Sequence, residues 1–395
     1  MYITIFPGKL HGDIEAIASK SHAHRLLICA AFADKPTELY LKHINQDISA
    51  TVECLNRLGA IISRTDYGYH VKPASNIPAT ATLPCGESGS TLRFLIPIVG
   101  ALGVDATFIM EGRLPQRPLS PLQEEMERMG CTISRPTDNT LRCTGKLMAG
   151  TYKIDGSVSS QFITGLLLAS SVMDKPCSVE ITGKLESAPY VDITYHVLCS
   201  FSIDVDRLGQ SKLISPGRIN VEGDWSNAAF FLAANKLGSH INIHNLNTDS
   251  PQGDRAINNI LTILDSSPVI DCTDIPDLVP ILAVTAAALN GATFTGVRRL
   301  RLKESDRIAA VCAMIGSLGG NAEASEDTLK ISPSQIVGGI VNSFSDHRIA
   351  MAAAIAATVA QQPVTILNAQ CVRKSYPGFW EDFALLGGRY EQHIR

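Results

Sequence analysis

Charged and aromatic side chains are scarce in this chain of 395 residues, at 18% and 6% of the composition. The net charge of −4 at pH 7 argues against a general affinity for nucleic acids or membrane surfaces. No apolar run reaches the ~18 residues of a membrane-spanning helix, and the N-terminus lacks the basic and apolar regions of a signal peptide. We therefore expect a cytoplasmic protein with no membrane and no nucleic-acid partner.

Motifs for metals and nucleotides are also absent. The ten cysteines are scattered singly without a CxxC pair, which predicts reduced, mostly buried thiols. Neither the phosphate-binding loop GxxxxGK[ST] nor the dinucleotide fingerprint GxGxxG occurs. His22 and His24 are two residues apart, which places them on different faces of a helix. The sequence thus predicts neither a metal site nor a cofactor.

Hydrophobic residues make up 45% of the chain, and six predicted helices are apolar almost all round. Each follows a short polar turn, and the six begin at Ser21, Ser90, Ser160, Ser226, Asp277 and Asp346. A helix that is apolar on every face is normally buried. Its N-terminus carries free N–H groups and the positive end of the helix dipole, so it attracts anions. The pattern predicts a protein that holds negatively charged ligands.

A second, more polar helix pattern follows each buried helix, and a strand–turn–strand pattern follows several of these. Successive starts of the buried helices lie 69, 70, 66, 51 and 69 residues apart, which indicates an internal repeat. Each repeat is interpreted as strand, buried helix, strand, exposed helix, strand, strand. Six such βαβαββ units are too many for one ordinary domain, so we predict an α/β (α+β) fold with two domains of three units.

The boundary between the two domains is predicted just before Gly223–Ser226, after the third unit. The strand in the N-terminal segment MYITIFPG would then lack local partners, so it is expected to pair with the C-terminal half. The predicted domains are residues 1–18 plus 225–395, and an inserted domain of residues 19–224. The active site is expected in the cleft between them.

The segment RRLRLKESDR at 298–307 carries the sharpest chemical signal. Asp306 is a good N-cap, so Arg307 falls in the first turn of a helix, where the dipole opposes a cation. An arginine so placed is predicted to be held by a bound anion, although a solvated helix start also explains the composition. Glu304, next to Lys303, is a candidate proton-transfer group.

Arg25 and Arg348 repeat this arrangement, each in the first turn of a buried helix. On a purely structural interpretation, Asp346 would neutralise Arg348. Asp277 lies at the mouth of the most apolar helix and is either a helix cap or a candidate base.

Four other segments are weak signals when taken singly. Gly86–Arg93 is a glycine-bearing turn into a helix, and Ser157–Gln161 offers hydroxyls and an amide to phosphate or sugar-like hydroxyls. Arg117 and Lys374 each stand just ahead of a predicted exposed helix. A capping or surface role explains each of them equally well.

In this order, however, the motifs resemble the 5-enolpyruvylshikimate-3-phosphate synthase (3-phosphoshikimate 1-carboxyvinyltransferase) family. The resemblance covers nearly the whole chain, through SKSHAHR, GESGSTLRF, QRPLSPL, GSVSSQF, SAPYVDIT, GDWSNAAFFLAA, DIPDLVP, RLKESDRI, SDHRIAMA and RKSYPGFWEDF. It implies a two-domain inside-out α/β barrel, with three βαβαββ units per domain around buried parallel helices. It also implies transfer of the enolpyruvyl group of phosphoenolpyruvate to the 5-hydroxyl of shikimate 3-phosphate, by addition and elimination through a tetrahedral intermediate.

The resemblance implies a set of site residues and no metal or cofactor. Those for shikimate 3-phosphate are Lys20, Ser21, Arg25, Ser159, Ser160, Gln161, Ser187, Tyr190, Asp277 and Lys303. Those for phosphoenolpyruvate are Lys20, Gly89, Arg117, Gln161, Arg307, Arg348 and Lys374. Asp277 matches the proton acceptor, and either Glu304 or Lys20 would protonate the methylene carbon. A monomer is expected.

Two rival interpretations remain. The UDP-N-acetylglucosamine enolpyruvyl transferases share the architecture, but they carry a cysteine in a catalytic loop, and the corresponding region at Arg113–Arg117 has none. A non-catalytic binding protein on the same scaffold is the other rival. The joint presence of Lys20, Asp277 and Glu304 argues against it.

Overall fold

The structure is a computed structural model that describes residues 1–393. Within this range the α-helices are α1 (Lys20–Ala31), α2 (Gln46–Arg57), α3 (Gly89–Leu102), α4 (Leu122–Arg128), α5 (Ser160–Ser171), α6 (Ala188–Ser200), α7 (Trp225–Lys236), α8 (Ile257–Ile263), α9 (Val279–Ala288), α10 (Arg307–Ser317), α11 (His347–Ala357) and α12 (Phe379–Leu385). None of these helices is both long enough and apolar enough to span a membrane.

Twenty short strands alternate with the helices in the described range. They are β1 (Tyr2–Phe6), β2 (His11–Glu15), β3 (Thr37–Tyr40), β4 (Ile61–Thr65), β5 (Gly68–Lys72), β6 (Thr80–Gly86), β7 (Asp105–Met110), β8 (Cys131–Ser134), β9 (Thr140–Gly145), β10 (Thr151–Asp155), β11 (Ser178–Thr182), β12 (Arg218–Asn220), β13 (His240–His244), β14 (Val269–Asp271), β15 (Ala292–Thr295), β16 (Ala322–Ala324), β17 (Thr328–Ile331), β18 (Gly339–Asn342), β19 (Val364–Leu367) and β20 (Arg389–His393).

The chain divides into two compact units. One, the inserted unit, is Ala18–Glu222, and the other, the terminal unit, combines Met1–Ile17 with Gly223–Arg395. Each unit has its own apolar core of aliphatic, alanine and phenylalanine side chains. Two cores of this size agree with the general rule that chains of this length split into separate domains.

The inserted unit contains three separate sheets, with strand orders β12-β3-β5-β4, β6-β7-β9-β8 and β10-β11. In each sheet one pair is parallel, namely β12 with β3, β6 with β7 and β10 with β11. Helices α3 and α5 join the last two pairs, as a parallel crossover requires. The parallel partner of β3 is instead β12, which comes much later in the chain, after α6.

The terminal unit has the same plan, with strand orders β18-β19-β1-β20, β14-β15-β17-β16 and β13-β2. Strand β1 lies between β19 and β20 and is antiparallel to both, so the predicted pairing of the N-terminal strand with the C-terminal half is confirmed. Strand β2 supplies the parallel partner of β13. The N-terminal segment thus completes two repeats of the terminal unit.

The six helices predicted to be buried are α1, α3, α5, α7, α9 and α11, and nearly every residue in them is buried. Helices α7, α9 and α11 pack on one another in the terminal unit, whereas α5 packs on α3 and α1 in the inserted unit. Helices inside and sheets around them give the predicted inside-out α/β fold. The sheets stay separate, so the described residues form no closed barrel.

Two of the six repeats are shorter than the predicted βαβαββ pattern. The repeat of α5 and α6 and that of α7 and α8 each contribute a two-stranded sheet, without the final strand pair. The short step of 51 residues between Ser226 and Asp277 reflects the second of these. Both shortened repeats lie next to the boundary between the units, where the chain passes from one core to the other.

Candidate active site

Asp277 is the centre of a charged cluster at the helix mouths of the terminal unit. It lies in the 3₁₀ turn Pro276–Leu278, directly before α9, whose N-cap is Leu278. The guanidinium of Arg348 donates from Nη2 to Oδ2 of Asp277 at 2.9 Å. Arg307 donates from Nη1 to Oδ1 at 2.8 Å. Asp277 therefore does not stand at the N-cap position of α9, and its carboxylate accepts from two arginines.

Arg307 binds three carboxylates at once, although only 1% of it is exposed. Its Nε donates to Oδ2 of Asp346 at 3.0 Å and its Nη2 to Oε2 of Glu304 at 2.7 Å, in addition to the bond to Asp277. Such a set of charge-assisted bonds offsets the cost of burying a guanidinium in a first helical turn. We call Asp277, Glu304, Arg307, Asp346 and Arg348 the carboxylate–arginine cluster.

The cluster bears on two interpretations of the sequence. Arg307 was predicted to be held by a bound anion, and in the structure three carboxylates of the chain itself hold it; anion binding by Arg307 stays a prediction. On the purely structural interpretation Asp346 would neutralise Arg348, but its carboxylate accepts from the Arg307 side chain and only from the backbone N–H of Arg348, at 3.0 Å. The sequence could not indicate that Asp277 pairs with Arg307 and Arg348, because these partners are 30 and 71 residues away in the chain.

The electrostatics of Asp277 follow from these contacts. Burial by itself would raise the pKa of Asp277, but Arg348, Lys303 and Arg307 together hold that pKa well below its usual value. Lys303 forms an ion pair with Oδ1 at 3.7 Å. In turn, burial lowers the pKa of Lys303 to about 8, partly opposed by Asp277. The cluster can therefore bind anions and present one carboxylate to a hydroxyl group.

Lys374 belongs to the neighbouring wall of the terminal unit. It ends the 3₁₀ helix Ala369–Lys374, which packs against α11, the helix that carries Arg348. The next residue, Ser375, accepts a hydrogen bond from Nδ2 of Asn227 on α7 at 3.2 Å. The segment that carries Lys374 is thus attached to two of the three buried helices.

In the inserted unit, Arg25 is 2% exposed and bonds to neutral groups. Its Nε donates to the hydroxyl of Thr194 at 2.8 Å, and its Nη2 donates to the carbonyl of Tyr190 at 2.8 Å. The guanidinium also lies 4.9 Å from the ring centroid of Phe94. Burial lowers the pKa of Arg25 to about 9, so the charged form carries an unfavourable desolvation energy that an anion would relieve.

Lys20 is the first residue of α1, whose N-cap Ser19 accepts a hydrogen bond from the N–H of His22. Its ammonium group forms an ion pair with Oδ2 of Asp47 at 2.9 Å. Asp47 lies in the first turn of α2, where its negative charge is favoured by the helix dipole. Lys20 is thereby held as a cation at the mouth of a buried helix.

Gln161 connects the N-termini of α3 and α5. Its Oε1 accepts from Nη1 of Arg93 at 2.9 Å, and its Nε2 donates to the hydroxyl of Ser90 at 2.9 Å. Ser159 is the N-cap of α5 and accepts from the N–H of Gln161 at 3.3 Å, so Ser160 becomes the first helical residue. Three predicted ligand residues thus lie within a single helical turn.

Arg93 and Arg117, which we call the guanidinium pair, approach each other at Gly89. A Cβ atom added to Gly89 would lie 2.7 Å from Nη1 of Arg117 and 2.8 Å from Nη1 of Arg93. Arg117 forms no ion pair among residues 1–393, and its buried Nε lacks a hydrogen-bond partner within that range. Two neighbouring cations at a helix N-terminus make a strong anion site.

Ser187 and Tyr190 lie at the start of α6. Ser187 is its N-cap and has φ of 58°, in the left-handed region that non-glycine residues rarely adopt. The Tyr190 carbonyl accepts from Arg25, which also donates from Nη1 to the carbonyl of Ser21 at 2.6 Å. The structure therefore brings Ser21, Arg25 and Tyr190 together.

The sequence reasoning gave Arg93 no ligand role and did not name Asp47. Arg93 has the same signal as Arg25 and Arg348, a cation in the first turns of a buried helix, and could have been found by it. Asp47 acts through Lys20, 27 residues away in the chain, so no local pattern marks it. Asp346 was named as a helix start, and it caps α11 as well as accepting from Arg307. Among the described residues there is no group of His, Cys, Asp and Glu suited to a metal ion.

Comparison with known families finds relatives that match over nearly the whole chain. The family model described as EPSP synthase (3-phosphoshikimate 1-carboxyvinyltransferase) matches residues 6–267 and 264–383. Among curated relatives, the 3-phosphoshikimate 1-carboxyvinyltransferase of Clostridium kluyveri is 39% identical, over 99% of this chain and 98% of the relative. That of Clostridium botulinum strain Eklund 17B is 37% identical, over 98% of each chain.

Solved structures show the same fold at lower identity. An EPSP synthase from Acinetobacter baumannii superposes with a TM-score of 0.80 at 23% identity, and covers 99% of this chain and 100% of its own. The enolpyruvyl transferase NikO from Streptomyces tendae has a TM-score of 0.76 at 16% identity, over 100% and 99%. From its full-length match to the family model and its relatives, the chain belongs to the EPSP synthase family, the 3-phosphoshikimate 1-carboxyvinyltransferases, which transfer the enolpyruvyl group of phosphoenolpyruvate to shikimate 3-phosphate.

Proposed function

We propose that the N-termini of the buried helices in both units bind the two substrates of this transfer. Closure of the units would bring the ligand residues of each unit onto the bound substrates. The observation that carries the proposal is the guanidinium pair, in which Arg117 has no ion-pair partner among residues 1–393. Two like charges this close are unfavourable unless an anion lies between or beside them. Phosphoenolpyruvate, with a phosphate and a carboxylate, supplies such an anion.

The proposed phosphoenolpyruvate ligands are those implied by the family. In the inserted unit they are Lys20, Gly89, Arg117 and Gln161, and in the terminal unit Arg307, Arg348 and Lys374. Arg93, bonded to Gln161 and close to Arg117, is added to this set. Gly89 belongs to it because only a residue without Cβ lets both guanidinium groups lie this close to the N-terminus of α3.

Shikimate 3-phosphate is assigned to the α1, α5 and α6 mouths and to the rim of the terminal unit. Its proposed ligands are Lys20, Ser21, Arg25, Ser159, Ser160, Gln161, Ser187, Tyr190, Asp277 and Lys303. A phosphate beside the buried Arg25 would offset the desolvation that lowers the pKa of this group. Hydroxyls of the serines suit both phosphate oxygens and ring hydroxyls.

In the proposed mechanism Asp277 takes the proton of the 5-hydroxyl while that oxygen attacks C2 of phosphoenolpyruvate. C3 receives a proton from Glu304 or Lys20, which gives the tetrahedral ketal phosphate. The resulting C3 methyl group then gives up a proton while the C2–O bond to phosphate breaks, so that the double bond of the enolpyruvyl group re-forms and phosphate leaves. The cations hold two anionic molecules side by side, which their mutual repulsion would otherwise oppose. Glu304 accepts from Nη2 of Arg307 at 2.7 Å, and Lys20 pairs with Asp47, so either donor acts from a fixed position.

The ion pairs of Asp277 suggest how the base becomes active. With Arg348, Lys303 and Arg307 around it, Asp277 has a pKa too low for an effective base. When substrate anions engage Arg307 and Arg348, those cations are shared with the ligand and stabilise the Asp277 carboxylate less. The pKa of Asp277 then rises toward the range of a useful base only in the loaded enzyme.

An activity assay tests the assignment. Purified protein with phosphoenolpyruvate and shikimate 3-phosphate is expected to release inorganic phosphate, whereas UDP-N-acetylglucosamine in place of shikimate 3-phosphate should give none. Release only with the UDP sugar would instead establish the rival transferase activity. Absence of release with either acceptor would favour a binding protein.

Asp277→Asn tests the proposed base. The amide keeps the shape of the side chain but cannot accept the proton, so turnover should fall by about 10²- to 10⁴-fold. Asp265→Asn, which removes an exposed ion pair with Lys236, is the matched control and should keep wild-type turnover. Circular dichroism checks that both variants are folded, and near-normal turnover of Asp277→Asn would exclude Asp277 as the base.

We also propose that the enzyme is a cytoplasmic monomer that needs no nucleic acid, metal or cofactor. One chain supplies all the proposed ligands, so a second copy is not required to complete the site. The ten cysteines are free thiols, as is usual in a reducing compartment. Sedimentation of the purified protein, and assay in the presence of a metal chelator, test the oligomeric state and the metal independence.

A further inference from the structure

Asp254 is a buried carboxyl group that the proposed mechanism does not use. It lies in the 3₁₀ helix Gly253–Ala256, is 4% exposed, and its Oδ1 has no hydrogen-bond partner among residues 1–393. The preceding Gln252 accepts from the N–H of Trp225 at 3.1 Å and donates to the carbonyl of Gly223 at 2.8 Å. These two bonds attach the segment directly before Asp254 to the N-terminus of α7.

The groups that face Asp254 come from three elements. Asp277 lies on the 3₁₀ turn before α9, Arg348 on α11, and Asp224 and Ser226 at the start of α7. Helix α8, which also packs against this segment, has no ionisable side chain. The hydroxyl of Ser226 is buried and, like Oδ1 of Asp254, lacks a partner of good geometry within the described residues.

The charge balance around Asp254 leaves it without a cation of its own. Three carboxylates of the carboxylate–arginine cluster face three cations, namely Arg307, Arg348 and Lys303. Arg348 already donates two hydrogen bonds to Asp277. Asp224, also buried, adds another carboxylate on this side. An ionised Asp254, with one oxygen that lacks a hydrogen-bond partner among residues 1–393, would therefore be an uncompensated charge, which is costly in a protein interior.

The pKa of Asp254 agrees with this balance. Burial is the main cause that raises this pKa to about 7; the charges of Asp277 and Asp224 act in the same direction, and Arg348 and the hydroxyl of Ser226 act against them. Below that pH the carboxyl group is protonated, and above it a second negative charge appears beside Asp277 and Arg348.

We propose that Asp254 is a positioning residue that carries a proton beside Asp277 and thereby leaves Arg348 available to Asp277 and to the anionic substrate. When Asp254 ionises, it competes for Arg348 and repels phosphoenolpyruvate, so the KM for this substrate rises. The inference rests on the proposed roles of Asp277 and Arg348.

The kinetic test compares the KM for phosphoenolpyruvate at about pH 6 and about pH 8, one unit on either side of the Asp254 transition. Asp254→Asn imitates the protonated form at every pH, so the ratio of the two KM values should be several-fold smaller than in the wild type. Titration of the substrate itself is common to all the proteins and cancels. Asp249→Asn, an exposed change in the preceding loop, should keep the wild-type ratio. Equal ratios in Asp254→Asn and the wild type overturn the proposal.

A second variant and a direct measurement guard against a folding defect in Asp254→Asn. Ser226→Ala removes a hydroxyl that stabilises the ionised form, so the rise in KM should move to higher pH; an unmoved rise counts against the proposal. Infrared spectroscopy of the unliganded protein should show a protonated carboxyl band that disappears near pH 7, and its absence overturns the assignment. This band does not depend on the role of Asp277, so its result stays separate from a failure of the proposed base.

Discussion

At the scale of single residues, the site depends on cations in positions that a helix alone disfavours. Arg307 and Arg348 occupy the first turns of α10 and α11, where the helix dipole opposes positive charge. Carboxylates that come from elsewhere in the terminal unit stabilise them. Arg93 and Arg117 remain close to each other at Gly89. Carboxylates of the terminal unit thus neutralise Arg307 and Arg348, whereas Arg117 of the inserted unit forms no ion pair among residues 1–393.

Gly89→Ala tests the guanidinium pair. The new methyl group would lie within 2.8 Å of Nη1 of both arginines, so at least one guanidinium must move away from the anion site. Because only flexible side-chain ends are displaced, the protein should fold, and the KM for phosphoenolpyruvate should rise by about tenfold or more, as expected when about 1.4 kcal/mol of binding is lost.

The control for this change is Gly316→Ala, a helical glycine of α10 with open space around its Cβ position. It should leave the KM unchanged and raise the free energy of unfolding by up to about 1 kcal/mol, because alanine is the better helix former. An unchanged KM in Gly89→Ala would show that Arg93 and Arg117 do not bind phosphoenolpyruvate.

The pKa of Lys303 leads to a prediction about pH. Burial lowers that pKa to about 8, so Lys303 loses its charge, and its attraction for an anion, as the pH rises through this value. The KM for shikimate 3-phosphate should therefore rise above about pH 8. The contribution of Lys303 to the free energy of unfolding should increase between about pH 8 and pH 10.4. In this range the lysine of the unfolded chain still holds its proton and the folded one has lost it, so the unfolded state binds more protons.

The variant Lys303→Arg distinguishes the effect of Lys303 on this KM from the effects of other groups that titrate near pH 8. Arginine stays charged over this range, so the variant should lose much of the alkaline rise in the KM for shikimate 3-phosphate, even if its absolute affinity is lower. Lys330→Arg on β17 serves as the exposed control. The same alkaline rise in Lys303→Arg and in the wild type would assign the effect to another group.

At the scale of elements, close contact between α3 and α5 sets the spacing of the phosphoenolpyruvate ligands. A Cβ atom on Gly165 of α5 would lie 2.3 Å from the carbonyl oxygen of Arg93 on α3. Glycine at this position lets the two backbones touch. Because of that contact, Gln161 one turn earlier can bond to both Ser90 and Arg93.

Gly165→Ala should force the two helices apart, since the clash is with backbone that cannot rotate away. We expect a loss of about 1–3 kcal/mol in the free energy of unfolding, measured by urea denaturation, together with a higher KM for phosphoenolpyruvate. Gly316→Ala is again the control, with the opposite sign of stability change. Wild-type stability in Gly165→Ala would mean that α3 and α5 can separate without loss.

At the scale of the whole molecule, each unit has its own core, and the proposed ligands are shared between the two units. Residues of the inserted unit and of the terminal unit are both assigned to each substrate. Ligand binding would therefore favour a closed form of the enzyme, as is common for two-domain enzymes.

Small-angle X-ray scattering tests closure. Addition of shikimate 3-phosphate should decrease the radius of gyration, whereas inorganic phosphate alone, which lacks the ring hydroxyls, should leave it nearly unchanged. An equal radius with and without shikimate 3-phosphate would contradict closure on this substrate.

Much of the fold was predictable from the sequence because its signals are local. Apolar stretches of helical length, polar caps and a regular repeat depend only on neighbouring residues. They correctly predicted the six buried helices and the pairing of the N-terminal strand. The missing strand pairs of two repeats were not predicted, since a short step between helices does not say which strands are absent.

The sequence by itself determined that cations and serines stand at the mouths of buried helices, because capping and dipole effects act within one turn. Only the tertiary structure decided which charges meet. Asp277 is 30 residues from Arg307 and 71 from Arg348, and Asp346 binds Arg307 rather than the Arg348 side chain. Coulomb energies depend on distance in space and on burial, so the low pKa of Asp277 and the raised pKa of Asp254 follow from packing and not from any local motif.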